Sequence, residues 1–244
     1  MIKGIKLDNG KEVKIEECNE NECNIPAPIL EVLKPFNKKP IDNFNSYGIY
    51  EINNCLRHSY YDRIEGHYES INQLLRSTFG RGVHKTLLER FDVKEKTVKL
   101  ECNIDGETLI LVAKPDGYDF TKKTLIELKT VEDAQSQKLP RKKDVLQLQY
   151  FWSLINEALP AMVIEKLQLF YCDRDGHHKI LNIDKVNRME EMKNRLHILH
   201  KSLKTRMPPE EEIAYTCKFC PFRNKCNLGP LFIQNRITAR RSLR

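Results

Sequence analysis

The spacing of apolar and polar positions divides the chain into segments of different character. The opening MIKGIKLDNGKEVKIEE alternates charged with apolar side chains around Asn9-Gly10, which predicts a β-hairpin over residues 1 to about 17 and does not resemble a signal peptide. A polar stretch, CNENEC, and a Pro-punctuated linker, IPAPILEVLKPFNKKP, read as a peripheral extension. From Ser46 to about Phe91 the spacing turns helical, with Leu74, Leu75, Val83, Leu87, Leu88 and Phe91 recurring at helical intervals. The step Gly80-Arg81-Gly82 there either separates two helices or joins them tightly.

Three runs rich in β-branched and aliphatic residues follow, separated at Asp105-Gly106 and near Thr121-Lys122-Lys123, and predict an antiparallel meander. A helix is expected from about Arg141 to Ala158, with Val145, Leu148, Trp152 and Ile155 on one face. Two strands then flank a turn at Asp175-Gly176, and a strongly amphipathic helix ends at Pro208-Pro209. This order predicts an α/β core with a mixed sheet flanked by helices. The expected divisions are an N-terminal hairpin and linker over 1–45, a main domain over 46–230 and a basic tail over 231–244.

Composition narrows the picture modestly. The 244 residues are 40% hydrophobic and 31% charged, and no apolar run approaches the ~18 residues of a membrane span. A net charge of +7 favours a polyanionic partner, because each Lys or Arg on a phosphate releases a condensed counterion. With nothing pointing to secretion, a cytoplasmic setting is expected, and the eight cysteines are expected to be reduced thiols or metal ligands.

The candidate chemistry lies in the meander. A strand ending at Ala113 runs into Lys114-Pro115-Asp116, and eleven residues later the next strand carries Glu127-Leu128-Lys129. Side chains alternate faces along a strand, so Glu127 and Lys129 share one side while Ile126 and Leu128 point into the core. A hairpin would bring Asp116 beside Glu127. Two adjacent carboxylates repel unless Mg²⁺ or Mn²⁺ lies between them, and a neighbouring ammonium can orient water and offset charge on a phosphate, so phosphodiester hydrolysis is the reaction indicated.

With His84 on the preceding helix and Gln147 on the following one, these residues resemble the RecB-like branch of the PD-(D/E)XK nucleases. The resemblance implies a restriction-endonuclease-like fold, a metal held by His84, Asp116, Glu127 and the Leu128 carbonyl, and Lys129 as the catalytic lysine. The family's helical Gln-h-x-x-Tyr motif is matched at Gln147, but the position four residues on is Phe151, and Tyr150 stands beside it as the alternative.

Cys217, Cys220 and Cys226 place three thiols within ten residues, which favours a metal loop. The fourth thiolate could come from Cys18 and Cys23 or from Cys55. Cys55, in YEINNCLRHSYYDR, resembles the start of the CRISPR-associated RecB-like exonucleases, in which one early cysteine joins three late ones around an iron–sulfur cluster. That resemblance, over residues 46 to 228, implies a 4Fe-4S cluster on Cys55, Cys217, Cys220 and Cys226, with zinc as the alternative. Cys102 and Cys172 read as core residues on strands.

The same resemblance implies an exonuclease acting on single-stranded DNA or DNA ends, in CRISPR spacer acquisition beside integrase proteins or in related DNA processing. Arg81, Lys85, Arg141, Lys142 and Lys143, with Arg240, Arg241 and Arg244, are the candidate phosphate contacts. A non-catalytic nucleic-acid-binding protein and a site-specific endonuclease are the competing readings.

Overall fold

The computed structural model describes residues 2–18, 23, 25–33, 45–89, 91–213, 217 and 219–227. Its strands are β1 (Ile2–Lys6), β2 (Glu12–Val13), β3 (Ser46–Gly48), β4 (His67–Ser70), β5 (Val93–Lys94), β6 (Val98–Ile104), β7 (Glu107–Ala113), β8 (Gly117–Asp119), β9 (Thr124–Thr130), β10 (Lys166–Cys172) and β11 (His178–Ile183). The helices are α1 (Ala27–Leu33), α2 (Ile49–Asn53), α3 (Leu56–Ile64), α4 (Ile71–Leu88), α5 (Lys142–Ala158) and α6 (Met189–Thr205). The expected mixed α/β architecture is present.

The chain forms two compact units, one from Met1–Asp42, Asn54–Thr78 and Ile198–Arg244, the other from Asn43–Asn53 and Phe79–His197. The divisions expected from sequence followed the chain, whereas these units interleave along it. Arg240, Arg241, Arg244 and the whole 231–244 tail lie outside the described residues.

In the first unit the N-terminal hairpin is built into a sheet and is not a peripheral extension, because β1 pairs in parallel with β4, Ile5 opposite Glu69. Its apolar side chains supply the core: Ile5, Leu7, Val13 and Ile15 pack with Leu30 and Leu33 of α1. The cysteine expectation fails at one pair, since Cys18 and Cys23 form a disulfide with Cα atoms 5.8 Å apart. Cys18 and Cys23 stand only five positions apart in the chain, a proximity that compartment arguments do not address.

In the second unit the expected meander is divided between two sheets. The β6–β7 hairpin turns at Asp105-Gly106, both with positive φ (52° and 79°), and β7 pairs in parallel with β3. The chain then leaves that sheet at Lys114-Pro115-Asp116, where proline has no N–H to extend the ladder. It enters a five-stranded sheet of order β11-β10-β9-β8-β5. Here β8–β9 and β10–β11 are antiparallel, while β9 and β10 run parallel, joined by the crossover through α5.

As a central strand β9 is covered on both faces, which explains why Leu125 and Leu128 are both buried. Ile126, expected in the core, is only half-buried. α5 presents Leu148, Phe151, Leu154 and Ile155 to β6, β7, β9 and β10. The glycine step 80–82 does not separate helices, and α4 is continuous through it. Gly80 lies so near β9 that an added Cβ would stand 3.0 Å from Thr130 Oγ1, and one on Gly117 would meet Phe91 at 3.0 Å and Leu88 at 3.3 Å. These two bare positions let the segment Phe79–Leu88 approach the sheet closely. Among the described residues no helix is long and apolar enough to cross a membrane.

Candidate functional site

The β8–β9 register, Gly117 opposite Ile126, sets Asp116 beside Glu127. Beyond that pair β8 has no backbone for Leu128, and the Leu128 N–H instead donates to Asp116 Oδ2 at 2.7 Å. The other Asp116 oxygen lies 3.2 Å from His84 Nδ1, so one buried carboxylate links α4 to β9.

Glu127 and Lys129 share one face of β9, as strand alternation requires, and that face is turned to α5. Lys129 Nζ donates to Glu127 Oε1 at 2.6 Å and to Gln147 Oε1 at 3.0 Å, and Gln147 Nε2 donates to Glu127 Oε1 at 2.9 Å. The amide thus bonds both charged partners and fixes their rotamers. His84, Asp116, Glu127, Leu128, Lys129 and Gln147 are therefore brought together in the second unit.

Burial pushes Glu127 up to about 7, with the Lys129 ammonium pulling the other way and the Asp116 carboxylate adding to the rise. Burial works against the Lys129 charge too, but the Glu127 carboxylate holds the ammonium above the ordinary lysine value. For His84, burial is outweighed by the Asp116 contact, and the imidazole is raised.

Donor chemistry at this site suits a divalent cation. Two carboxylates and an imidazole lie together, and the buried Glu127 Oε2 has no hydrogen-bond partner. As posed, the side chains bond to one another, and among the described residues no three His, Cys, Asp or Glu groups are arranged to hold an ion.

Tyr150 is not part of this group. It is fully buried, and its hydroxyl donates to Glu191 Oε1 at 2.8 Å. Phe151 is buried as well and brings no polar atom. Arg81 and Lys85 are exposed one turn apart on α4. Lys142 and Lys143 are exposed at the start of α5, whereas Arg141 is half-buried, its N–H directed to Tyr171 Oη (3.2 Å) and its guanidinium to Gln137 (2.5 Å).

Two polar residues beside the site went unseen in the sequence. Asp144 is 3% exposed, and the Tyr171 hydroxyl donates to its Oδ2 at 2.9 Å. An acid in the first turn of a helix is ordinary, because it faces the positive end of the helix dipole, so nothing local marked it out.

In the first unit Cys55, Cys217, Cys220 and Cys226 are not disulfide-bonded and line one cavity of about 30 Å³ together with Arg57, His58 and Phe222. Main-chain N–H groups of His58 and Arg57 favour the Cys55 thiolate, although burial pushes that thiol up, as it does Cys220 and Cys226. Four soft sulfur donors in one cavity suit zinc or an iron–sulfur cluster. Cys102 and Cys172 are buried on β6 and β10, as expected.

No protein-family model matches the chain, and no curated protein does. Among solved structures, the crystal structure of SSO0001 is 19% identical, aligning over 82% of this chain and 94% of that one with a TM-score of 0.59. That likeness shows a shared fold. An alkaline exonuclease (LHK-Exo) from Laribacter hongkongensis aligns over 67% of this chain and 90% of its own at 12% identity, with a TM-score of 0.36.

Proposed function

We propose that the chain is a metal-dependent DNA nuclease of the RecB-like PD-(D/E)XK kind, hydrolysing phosphodiester bonds as an exonuclease on single-stranded DNA or DNA ends. The observation that carries this reading is the convergence of Asp116, Glu127 and Lys129 with His84 and Gln147, one buried carboxylate oxygen being left without a partner. Structural ion pairs are normally satisfied throughout, and an orphaned buried carboxylate oxygen invites a cation.

His84, Asp116, Glu127 and the Leu128 carbonyl would hold Mg²⁺ or Mn²⁺. When bound, such an ion polarises a phosphate oxygen and lowers the pKa of water. Lys129, steered by Gln147, orients the attacking water and offsets the charge that builds on the phosphate. Gln147 holds the Glu127 carboxylate in line, and Asp116 keeps His84 beside β9. Arg81, Lys85, Lys142, Lys143 and Arg141 supply the phosphate contacts. Cys55, Cys217, Cys220 and Cys226 hold a 4Fe-4S cluster, with zinc as the competing occupant. The setting that fits is a cytoplasmic one, in CRISPR spacer acquisition beside integrase proteins or in related DNA processing.

The test uses purified protein with linear and circular, single- and double-stranded DNA, in Mg²⁺, Mn²⁺ or EDTA. Cleavage needing free ends and a divalent ion, and slowed at least about 100-fold by Lys129→Ala, supports the reading. Equal cleavage by the parent, Lys129→Ala and Asp116→Ala refutes it. Cutting of closed circles at defined positions points to a site-specific endonuclease, and binding without cleavage to a non-catalytic protein.

A further inference from the structure

Of the carboxylates that act on Lys129, namely Glu127, Asp144 and Asp116, the nuclease chemistry leaves Asp144 unused. In the parallel pairing of β9 with β10, Lys129 is the register partner of Tyr171, so the two side chains leave the sheet on the same face. That face is covered by α5, where Asp144 stands one turn before Gln147, the amide that Lys129 bonds. The Tyr171 hydroxyl accepts the Arg141 N–H and donates to Asp144 Oδ2, so it is aimed by the first turn of α5. A carboxylate only 3% exposed is thereby held on the face of β9 from which Lys129 projects, where it attracts the ammonium.

We propose that Asp144 is a positioning residue for Lys129: its buried carboxylate, aimed by Tyr171, balances the ammonium when Glu127 turns from the lysine to a divalent cation. The inference rests on the nuclease reading given above. Lys129 and the cation compete for the charge of one carboxylate: the ammonium sits 2.6 Å from Glu127 Oε1, and only as it loosens its hold can Oε1 join the unpartnered Oε2 in facing the ion. A second buried anion lets the lysine release Glu127 without standing uncompensated in a buried site, which would be costly. Without Asp144, the ammonium stays on Glu127 and the cation binds less well. Tyr171 acts through Asp144 alone and touches neither Lys129 nor Glu127 by any hydrogen bond among the described residues.

The experiment measures Mn²⁺ affinity by calorimetry on the full-length protein without DNA, so that it does not depend on turnover. Asp144→Asn keeps an acceptor for Tyr171 and removes only the charge. Its Mn²⁺ dissociation constant is expected to rise at least about tenfold, the size typical of losing a partner of a metal ligand. Tyr171→Phe should raise it by a smaller factor. In a Lys129→Met background, where no ammonium competes, neither substitution should change Mn²⁺ affinity. A general structural defect would persist in that background.

Unchanged affinity in Asp144→Asn, or an equal loss with and without Lys129, overturns the inference. Should Asp144→Asn fail to fold, the Tyr171→Phe comparison across the two backgrounds decides the matter in the same way. Asp116→Asn separates this inference from its premise. A parent that binds Mn²⁺ no better than Asp116→Asn removes the cation site and the inference with it. A parent that binds through Asp116 but ignores Asp144 removes the inference alone.

Discussion

Glu127 offers a quantitative test, because its burial should be visible as a pH-dependent instability. An ordinary glutamate with a pKa of 4.5 is raised here to about 7. Between those values the unfolded chain releases a proton that the folded protein retains, so stability falls as pH rises from about 4.5 to 7 and levels off above. At about 1.4 kcal/mol per pH unit, the rise amounts to ~3 kcal/mol lost by pH 8. Lys129 stays protonated throughout that window in both states and contributes no slope. His84, also raised, loses stability in the same direction, as pH climbs through its folded pKa.

Glu127→Gln isolates the first effect, since the amide still accepts from Lys129 and Gln147 while carrying no charge. In EDTA, parent and variant should have matching melting temperatures at pH 5. At pH 8 the variant should be more stable by ~3 kcal/mol, or about 6–12 °C for a chain of this size. Saturating Mn²⁺ should then raise the parent's melting temperature at pH 8 but not that of Glu127→Gln. A gap that is the same at both pH values, or a variant weaker at pH 8, would refute the argument that burial governs this carboxylate.

Tyr150→Phe removes the hydrogen bond to Glu191 and should cost about 1 kcal/mol of stability by denaturant melts, leaving DNA cleavage unchanged; slower cleavage would return the tyrosine to the active site. Replacing Lys142 and Lys143 together by Ala should lower the slope of log affinity against log salt by about 1.5 to 2, and an unaltered slope would show that neither touches phosphate. Cys220→Ala should lose its bound metal in elemental analysis, any visible absorption and several degrees of thermal stability, whereas wild-type metal content and melting would refute the four-thiol site.

Asp116, Glu127 and Lys129 were legible because a two-residue alternation and a short hairpin decide their placement, and both are local. His84 and Gln147 carried little signal alone, and the resemblance to a known family singled them out. Asp144 and Tyr171 could not be found in this way. Their meeting depends on β9 and β10 pairing in parallel with Lys129 opposite Tyr171, a register set by packing across a long crossover. The same limit explains the divided meander, for which the only local sign was Pro115, and the short strand β4, whose polar residues show no alternation and which forms because β1 lies beside it. The Cys18–Cys23 bond likewise depends on how close the chain brings two residues, which no argument from cellular setting addresses.

Gly117, pressed beneath Leu88 and Phe91, extends control of the site beyond the groups that do chemistry. Leu88 lies one helical turn after His84, so whatever thickness occupies position 117 is transmitted along a rigid rod to the imidazole. A hydrogen atom there keeps the ring within reach of Asp116, and a methyl would lever it outward without altering any ligand. Substitutions at such a spacer, or in the apolar side chains that rest on it, could retune how firmly an ion is gripped while every reactive atom stays the same.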